Sequence, residues 1–173
     1  MQKCSSLIFL GDSLTQFHNW SDFGEHHNAG IAGDTTDGLL YRLHYTLGKK
    51  PTIVVLMIGI NDLLQGQHLE IIQENYHNIL TQLQDVKHLY ILSTLPVEAT
   101  KQTTQINEDI IRLNHYLRLL SNTLQYHYID LYSLMVDKNL GMKQPLTSDG
   151  VHLTAKAYDL WEQKLKHHIP LIR

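Results

Sequence analysis

The sequence of 173 residues is poor in features that mark secreted and membrane proteins. It has one cysteine, Cys4, so it cannot form an intrachain disulfide, which is typical of proteins from a reducing compartment. Its longest apolar run, residues 53–60, is far shorter than the roughly 20 residues of a membrane-spanning helix. The apolar run near the N-terminus stops at Asp12 and lacks the longer core and the cleavage site of a signal peptide. These absences predict a soluble, cytoplasmic protein without integral membrane association.

The chain also lacks a large excess of charge of either sign. The chain has 14 Lys and Arg against 17 Asp and Glu, a formal net charge of -3, and the basic residues are scattered. A nucleic-acid partner is therefore not expected. The G-x-G-x-x-G, P-loop and H-E-x-x-H patterns are absent, so we expect neither a cofactor nor a metal. With 43% apolar residues, residues 1–173 are predicted to form a single domain.

Strand-like and helix-like patterns alternate along the chain. The predicted strands are residues 7–10, 27–31, 53–58, 89–92 and 126–129. The run IVVLMI is continuously apolar, as in a parallel strand that is covered on both faces. Apolar residues at three- and four-residue steps predict helices that begin near Leu69, Ile106 and Thr154. Together these patterns predict an α/β fold with a five-stranded parallel sheet and helices on both faces.

Polar, turn-forming residues follow the first three predicted strands. Ser13 comes after the first strand, Gly33 after the second and Asn61 after the third. Because open parallel sheets bind ligands beyond the carboxyl ends of their strands, we expect these segments at one ligand-binding edge. Each also has a structural interpretation on its own, since Ser13 can cap the next helix and the other two segments can be turns.

A fourth polar segment, SDGVHLT, spans residues 148–154 and carries Asp149 and His152 three residues apart. A serine hydroxyl becomes a good nucleophile when an imidazole takes its proton, and that imidazole is oriented by an acceptor on its other nitrogen. Asp149 and His152 can supply both groups to Ser13. A capped helix start with an incidental histidine is the alternative, because the chain has twelve histidines.

Taken together, these segments resemble the GDSL or SGNH hydrolase family of serine esterases, thioesterases and lipases. The four blocks are FLGDSL around Ser13, AGIAGDTT around Gly33, GIND around Asn61 and SDGVH around His152. They stand in the family's order and extend from residue 9 to residue 152, which is far more specific than GDS alone. The resemblance implies a flavodoxin-like SGNH hydrolase fold, a three-layer α/β/α sandwich.

The resemblance also implies a role for each matching residue. Ser13 would be the nucleophile, His152 the general base and then the general acid, and Asp149 the residue that orients His152. The backbone N–H groups of Ser13 and Gly33 and the side-chain amide of Asn61 would form the oxyanion hole, which stabilises charge on the carbonyl oxygen. The neighbouring Asp12 is expected to be a cap or a loop brace.

The substrate is less closely specified by the sequence. A carboxylic ester with a small or short acyl group suits a chain of this length, and a thioesterase or lysophospholipase with the same triad is the alternative. A catalytically silent small-molecule binding module with a flavodoxin-like fold is the alternative from another class. Phe17, Trp20 and Phe23 follow Ser13 and can either form an apolar wall for the substrate or pack their loop onto the sheet.

Overall fold

Five parallel strands form one sheet in the computed structural model, which describes residues 7–169; Cys4 lies outside them. The strands are β1 (Leu7–Gly11), β2 (His26–Gly30), β3 (Ile53–Met57), β4 (His88–Leu92) and β5 (His127–Ile129). Their order across the sheet is β2-β1-β3-β4-β5, and every neighbouring pair is parallel. The five predicted strands are confirmed, and no bound differs by more than one residue.

The central strands β1 and β3 are buried along their whole length. Because successive side chains of a strand point to opposite faces, this burial means that both faces of the sheet are covered. The sequence prediction of an α/β fold with three layers is therefore confirmed. β2, at one edge, is only half-buried over most of its length.

Helices follow the strands and supply the covering layers. They are α1 (Ser13–Gln16), α2 (Thr36–Gly48), α3 (Ile60–Leu64), α4 (Leu69–Gln82), α5 (Thr104–Leu124), α6 (Tyr132–Met135) and α7 (Ala155–Lys166). The apolar stripes predicted for α4, α5 and α7 face the core. Their buried members include Ile72, Tyr76, Ile79, Ile110, Leu113, Leu117, Ala157, Trp161 and Leu165. Across residues 7–169, no helix combines the length and the apolar character needed to cross a membrane.

The sheet register explains why distant polar segments meet. Gly11 at the end of β1 pairs with Gly30 of β2 on one side and with Met57 of β3 on the other. The carboxyl ends of these three strands therefore lie at the same level of the sheet. The segments that carry Ser13, Gly33 and Asn61 leave the sheet from these strand ends, as predicted from the sequence.

Candidate active site

Ser13 is the first residue of α1, immediately beyond β1. Asp12 is the N-cap of this helix, because its Oδ1 accepts a hydrogen bond from the Leu14 N–H at 2.9 Å. The expected capping role thus belongs to Asp12. The Ser13 side chain has another partner, since its Oγ lies 3.1 Å from Nε2 of His152, 139 residues further along the chain.

His152 links Ser13 to Asp149. Nδ1 of His152 lies 2.7 Å from Oδ2 of Asp149, and Oδ1 of the same carboxylate accepts the His152 backbone N–H at 2.7 Å. An ionised carboxylate can only accept, so neutral His152 carries its proton on Nδ1 and offers Nε2 as an acceptor for the Ser13 hydroxyl. The side-chain hydrogen bond from His152, with backbone bonds from His152 and Val151, lowers the pKa of Asp149 to about 2. Asp149 is therefore ionised at neutral pH.

The turn that carries Asp149 and His152 is held from several directions. Gly150 has φ +92, which an L side chain adopts only with strain. Its N–H donates to Oγ1 of Thr147 at 2.9 Å, and its carbonyl accepts from the Glu98 N–H at 2.7 Å. The turn is thus tied to the segment between β4 and α5, so His152 keeps a defined place opposite Ser13.

Gly33 and Asn61 lie in the loop after β2 and in the first turn of α3. Gly33 has φ +79, and a Cβ there would meet no atom within 4 Å, so backbone conformation rather than space favours glycine. The Nδ2 atom of Asn61 donates to the Asp34 carbonyl at 2.9 Å. This bond uses one of the two amide hydrogens of Asn61 and fixes the side chain against the residue that follows Gly33.

Asp12 is a buried acid beside the serine. Its side chain is completely buried, and its Oδ2 has no hydrogen-bond partner within the described part of the chain. Burial raises the pKa of Asp12 to about 7, and the nearby carboxylates of Asp34 and Asp62 act in the same direction against the hydrogen bond from Leu14. A carboxyl at the centre of the site is therefore largely protonated below neutral pH.

The three aromatic residues after α1 have different environments. Trp20 and Phe23 are buried and pack on Phe9 of β1, with ring centroids 4.3 Å and 5.5 Å away. Trp20 and Phe23 thus pack their loop onto the sheet, which is one of the two interpretations given above, and their contact with substrate stays a prediction. Phe17 is 60% exposed, and its ring centroid lies 5.5 Å from that of His152. Phe17 remains a candidate for contact with substrate.

Arg42 lies in the middle of α2, and no motif in the sequence marks it as part of the site. Its guanidinium bonds to the Asp34 carboxylate at 2.7 Å and to the Gly11 carbonyl at 3.0 Å. Only the fold, which brings α2 beside the end of β1 and the loop after β2, places these groups together. Among residues 7–169, no group of three or more His, Cys, Asp or Glu side chains is arranged to hold a metal ion.

Comparison with known proteins identifies a family that matches most of the chain. The model of the GDSL-like lipase/acylhydrolase family matches residues 9–160. The chain is 29% identical over 160 residues to an N-acylneuraminate cytidylyltransferase of Streptococcus agalactiae, a match that covers 92% of this chain and 38% of that protein. The chain thus spans well under half the length of the curated relatives that it matches.

Solved structures share the fold. A putative acylhydrolase from Bacteroides fragilis superposes with a TM-score of 0.84 at 24% identity, covering 96% of this chain and 87% of the other. An acetylxylan esterase from Geobacillus stearothermophilus superposes with a TM-score of 0.79 at 16% identity, covering 96% and 95%. At these identities the structural matches establish the fold.

Proposed function

Because the chain belongs to the GDSL-like lipase/acylhydrolase family, we propose that it hydrolyses a carboxylic ester with Ser13 as the nucleophile. The observation that carries the proposal is the hydrogen-bonded series from Ser13 through His152 to Asp149, at 3.1 Å and 2.7 Å. Hydroxyl, imidazole and carboxylate stand in the order that acyl transfer by a serine requires. We also propose that residues 1–173 form one hydrolase domain, because the family match extends over residues 9–160.

In the proposed acylation step, Nε2 of His152 takes the Ser13 proton as Oγ attacks the ester carbonyl carbon. Asp149 is ionised and accepts from Nδ1, so it stabilises the imidazolium that forms and holds the ring in the required tautomer. His152 then gives the proton to the leaving alcohol, and the acyl group stays on Ser13. Water, activated by the same imidazole, attacks the acyl-enzyme and releases the acid.

Negative charge develops on the carbonyl oxygen in both steps. The proposed donors are the backbone N–H groups of Ser13 and Gly33 and the amide of Asn61. The first N–H groups of a helix have no acceptor within it, so the Ser13 N–H is not used by α1 itself. Nδ2 of Asn61 keeps one hydrogen after its bond to Asp34. Donors that are oriented before the reaction stabilise the transition state without reorganisation, and removing one typically costs about 10²–10³ in kcat.

For the substrate, we propose an ester with a short acyl group. One protein with the same fold is an acetylxylan esterase, so an O-acetylated sugar is the first ester of this kind to test. A thioesterase or lysophospholipase activity would use the same groups. It would differ in the preferred leaving group and acyl length.

The proposal is tested with Ser13→Ala, compared with Ser21→Ala, which removes an exposed serine from the segment after α1. The substrates are aryl esters from acetyl to dodecanoyl, acyl-CoA thioesters and an O-acetylated sugar. We expect Ser13→Ala to lose hydrolysis and covalent labelling by a fluorophosphonate, and Ser21→Ala to retain both. The Ser13→Ala protein should stay folded because Asp12 caps α1. Retained turnover by folded Ser13→Ala would refute the proposal, and a wild-type protein that neither hydrolyses nor labels would favour the binding module.

A further inference from the structure

Arg42 lies at the junction of the segments that carry the proposed oxyanion donors. It belongs to α2, and its side chain and that of Asp34 are only 15% and 9% exposed. Nε of Arg42 donates to Oδ2 of Asp34 at 2.7 Å, and Nη2 donates to the Gly11 carbonyl at 3.0 Å. A charge-assisted pair with this little exposure is screened less by solvent than a surface pair. The guanidinium therefore ties the end of β1 to the loop after β2.

Asp34 extends this connection to the third segment. It follows Gly33 directly, and its carbonyl accepts the Asn61 amide at 2.9 Å. Its Oδ1 accepts the Thr35 N–H at 3.1 Å, and its own N–H donates to the Ile31 carbonyl at 3.1 Å. Asp34 is thus held at both its backbone and its side chain. One residue therefore joins the guanidinium, through its carboxylate, to the Asn61 amide, through its backbone carbonyl.

The helix leaves room for this carboxylate at one position. Gly38 lies in the first turn of α2, and a Cβ there would collide with Oδ1 of Asp34. A side chain at position 38 would displace the carboxylate that Arg42 binds, without removing a polar group. The close approach of Asp34 to α2 therefore depends on glycine at this position.

We propose that Arg42 is a positioning residue, which acts through Asp34 to keep the Ser13, Gly33 and Asn61 donors at fixed distances from one another. The inference rests on the proposed function, because it assigns a role to these three donors. Arg42 hydrogen-bonds to Gly11, two residues before Ser13, and to Asp34, which bonds to Asn61 and adjoins Gly33. Displacing a catalytic group by about 1 Å can lower the reaction rate roughly 10²-fold, so holding the donors in place has catalytic value.

The first test is the kinetics of Arg42→Ala, with Arg112→Ala as the matched control. Arg112 pairs with Asp109 on α5, but its side chain is 60% exposed. We expect Arg42→Ala to lower kcat about 10- to 100-fold with little change in KM, since the donors act mainly when charge develops. Arg112→Ala should behave like wild type. Added guanidinium ion should restore part of the Arg42→Ala rate by occupying the vacated position.

Two further variants separate positioning from a general loss of folding. Arg42→Lys keeps the charge but cannot reproduce the planar fork, so its rate should lie between those of wild type and Arg42→Ala. Gly38→Ala should lower kcat although alanine favours a helix over glycine. Urea unfolding of each variant shows whether the fold persists, and the rates are compared for folded protein only.

The deciding measurement is the double variant Arg42→Ala with Asn61→Ala. If Arg42 acts through the donors, the double variant should lose much less than the product of the two single losses. Multiplicative losses, an effect confined to KM, or an unchanged kcat in folded Arg42→Ala would overturn the inference.

Labelling of wild-type Ser13 by a fluorophosphonate is measured in parallel. If Ser13 labels and Arg42→Ala is unimpaired, only the positioning role fails. If wild type neither labels nor hydrolyses, the proposed function fails and the positioning role fails with it.

Discussion

Replacing Asp12 by asparagine should change how stability depends on pH. Asp12 is completely buried, and one of its carboxyl oxygens has no partner in the described region. Burial raises its pKa from the ordinary value of 3.8 to about 7. Between these values the unfolded chain releases the proton while the folded protein keeps it. The folded state then binds more protons, so its stability falls as pH rises.

The size of this effect follows from the pKa. One pKa unit corresponds to about 1.4 kcal/mol, so ionising Asp12 costs about 4 kcal/mol more in the folded protein than in the unfolded chain. This contribution is fully present below pH 3.8 and is lost by the time pH has risen through about 7. Since domains are commonly stable by about 5–15 kcal/mol, the loss is a large share of the total.

The assay is urea unfolding of wild type and Asp12→Asn at pH 4, 6 and 8, followed by the fluorescence of Trp20 and Trp161, which are both buried. Asparagine cannot ionise. Its amide, placed where a carboxyl oxygen has no partner within the described residues, costs about 1–3 kcal/mol at every pH. We therefore expect the stability of Asp12→Asn relative to wild type to rise by about 3–4 kcal/mol between pH 4 and pH 8.

Asp149→Asn is the control, because its effect on stability should change with pH in the opposite direction. The hydrogen bond from His152 lowers the pKa of Asp149, so its contribution to stability is present above 3.8 and is lost as pH falls through about 2. This substitution should reduce stability slightly at pH 6 and progressively less toward pH 2, and the effect is small because the Asp149 side chain is 53% exposed. Stability curves for wild type and Asp12→Asn that run parallel from pH 4 to pH 8 would refute the reasoning.

Other substitutions test the catalytic roles. Asn61→Ala should lower kcat by roughly 10²–10³ with KM little changed, and an effect on KM alone would indicate ground-state binding instead. The double variant His152→Ala with Asp149→Asn should be little slower than His152→Ala alone, and multiplicative losses would show that the two residues act separately. Phe17→Ala should raise KM for aryl and longer acyl esters; unchanged KM values across an ester panel would exclude contact between this ring and the substrate.

Local pattern in the sequence was enough to predict the layers of the fold. The run at residues 53–58 is apolar throughout because β3 is covered on both faces, and burial on both faces requires such a run. The stripe that includes Ile72, Tyr76 and Ile79 repeats with the period of a helix because one face of α4 meets the core. The segments around Ser13 and His152 were recognisable because their motifs are short and contiguous.

Tertiary structure alone decided which neighbours these residues have. Phe17, Trp20 and Phe23 look equivalent in the sequence, but the fold buries two of them against β1 and leaves Phe17 exposed beside His152. Burial raises the pKa of Asp12, and one of its oxygens has no partner among residues 7–169; neither feature is visible in the sequence GDS. Arg42 meets the carbonyl of Gly11, 31 residues earlier, only because the fold brings α2 beside the end of β1. Periodicity records which face of an element is buried, whereas such contacts depend on how several elements pack together.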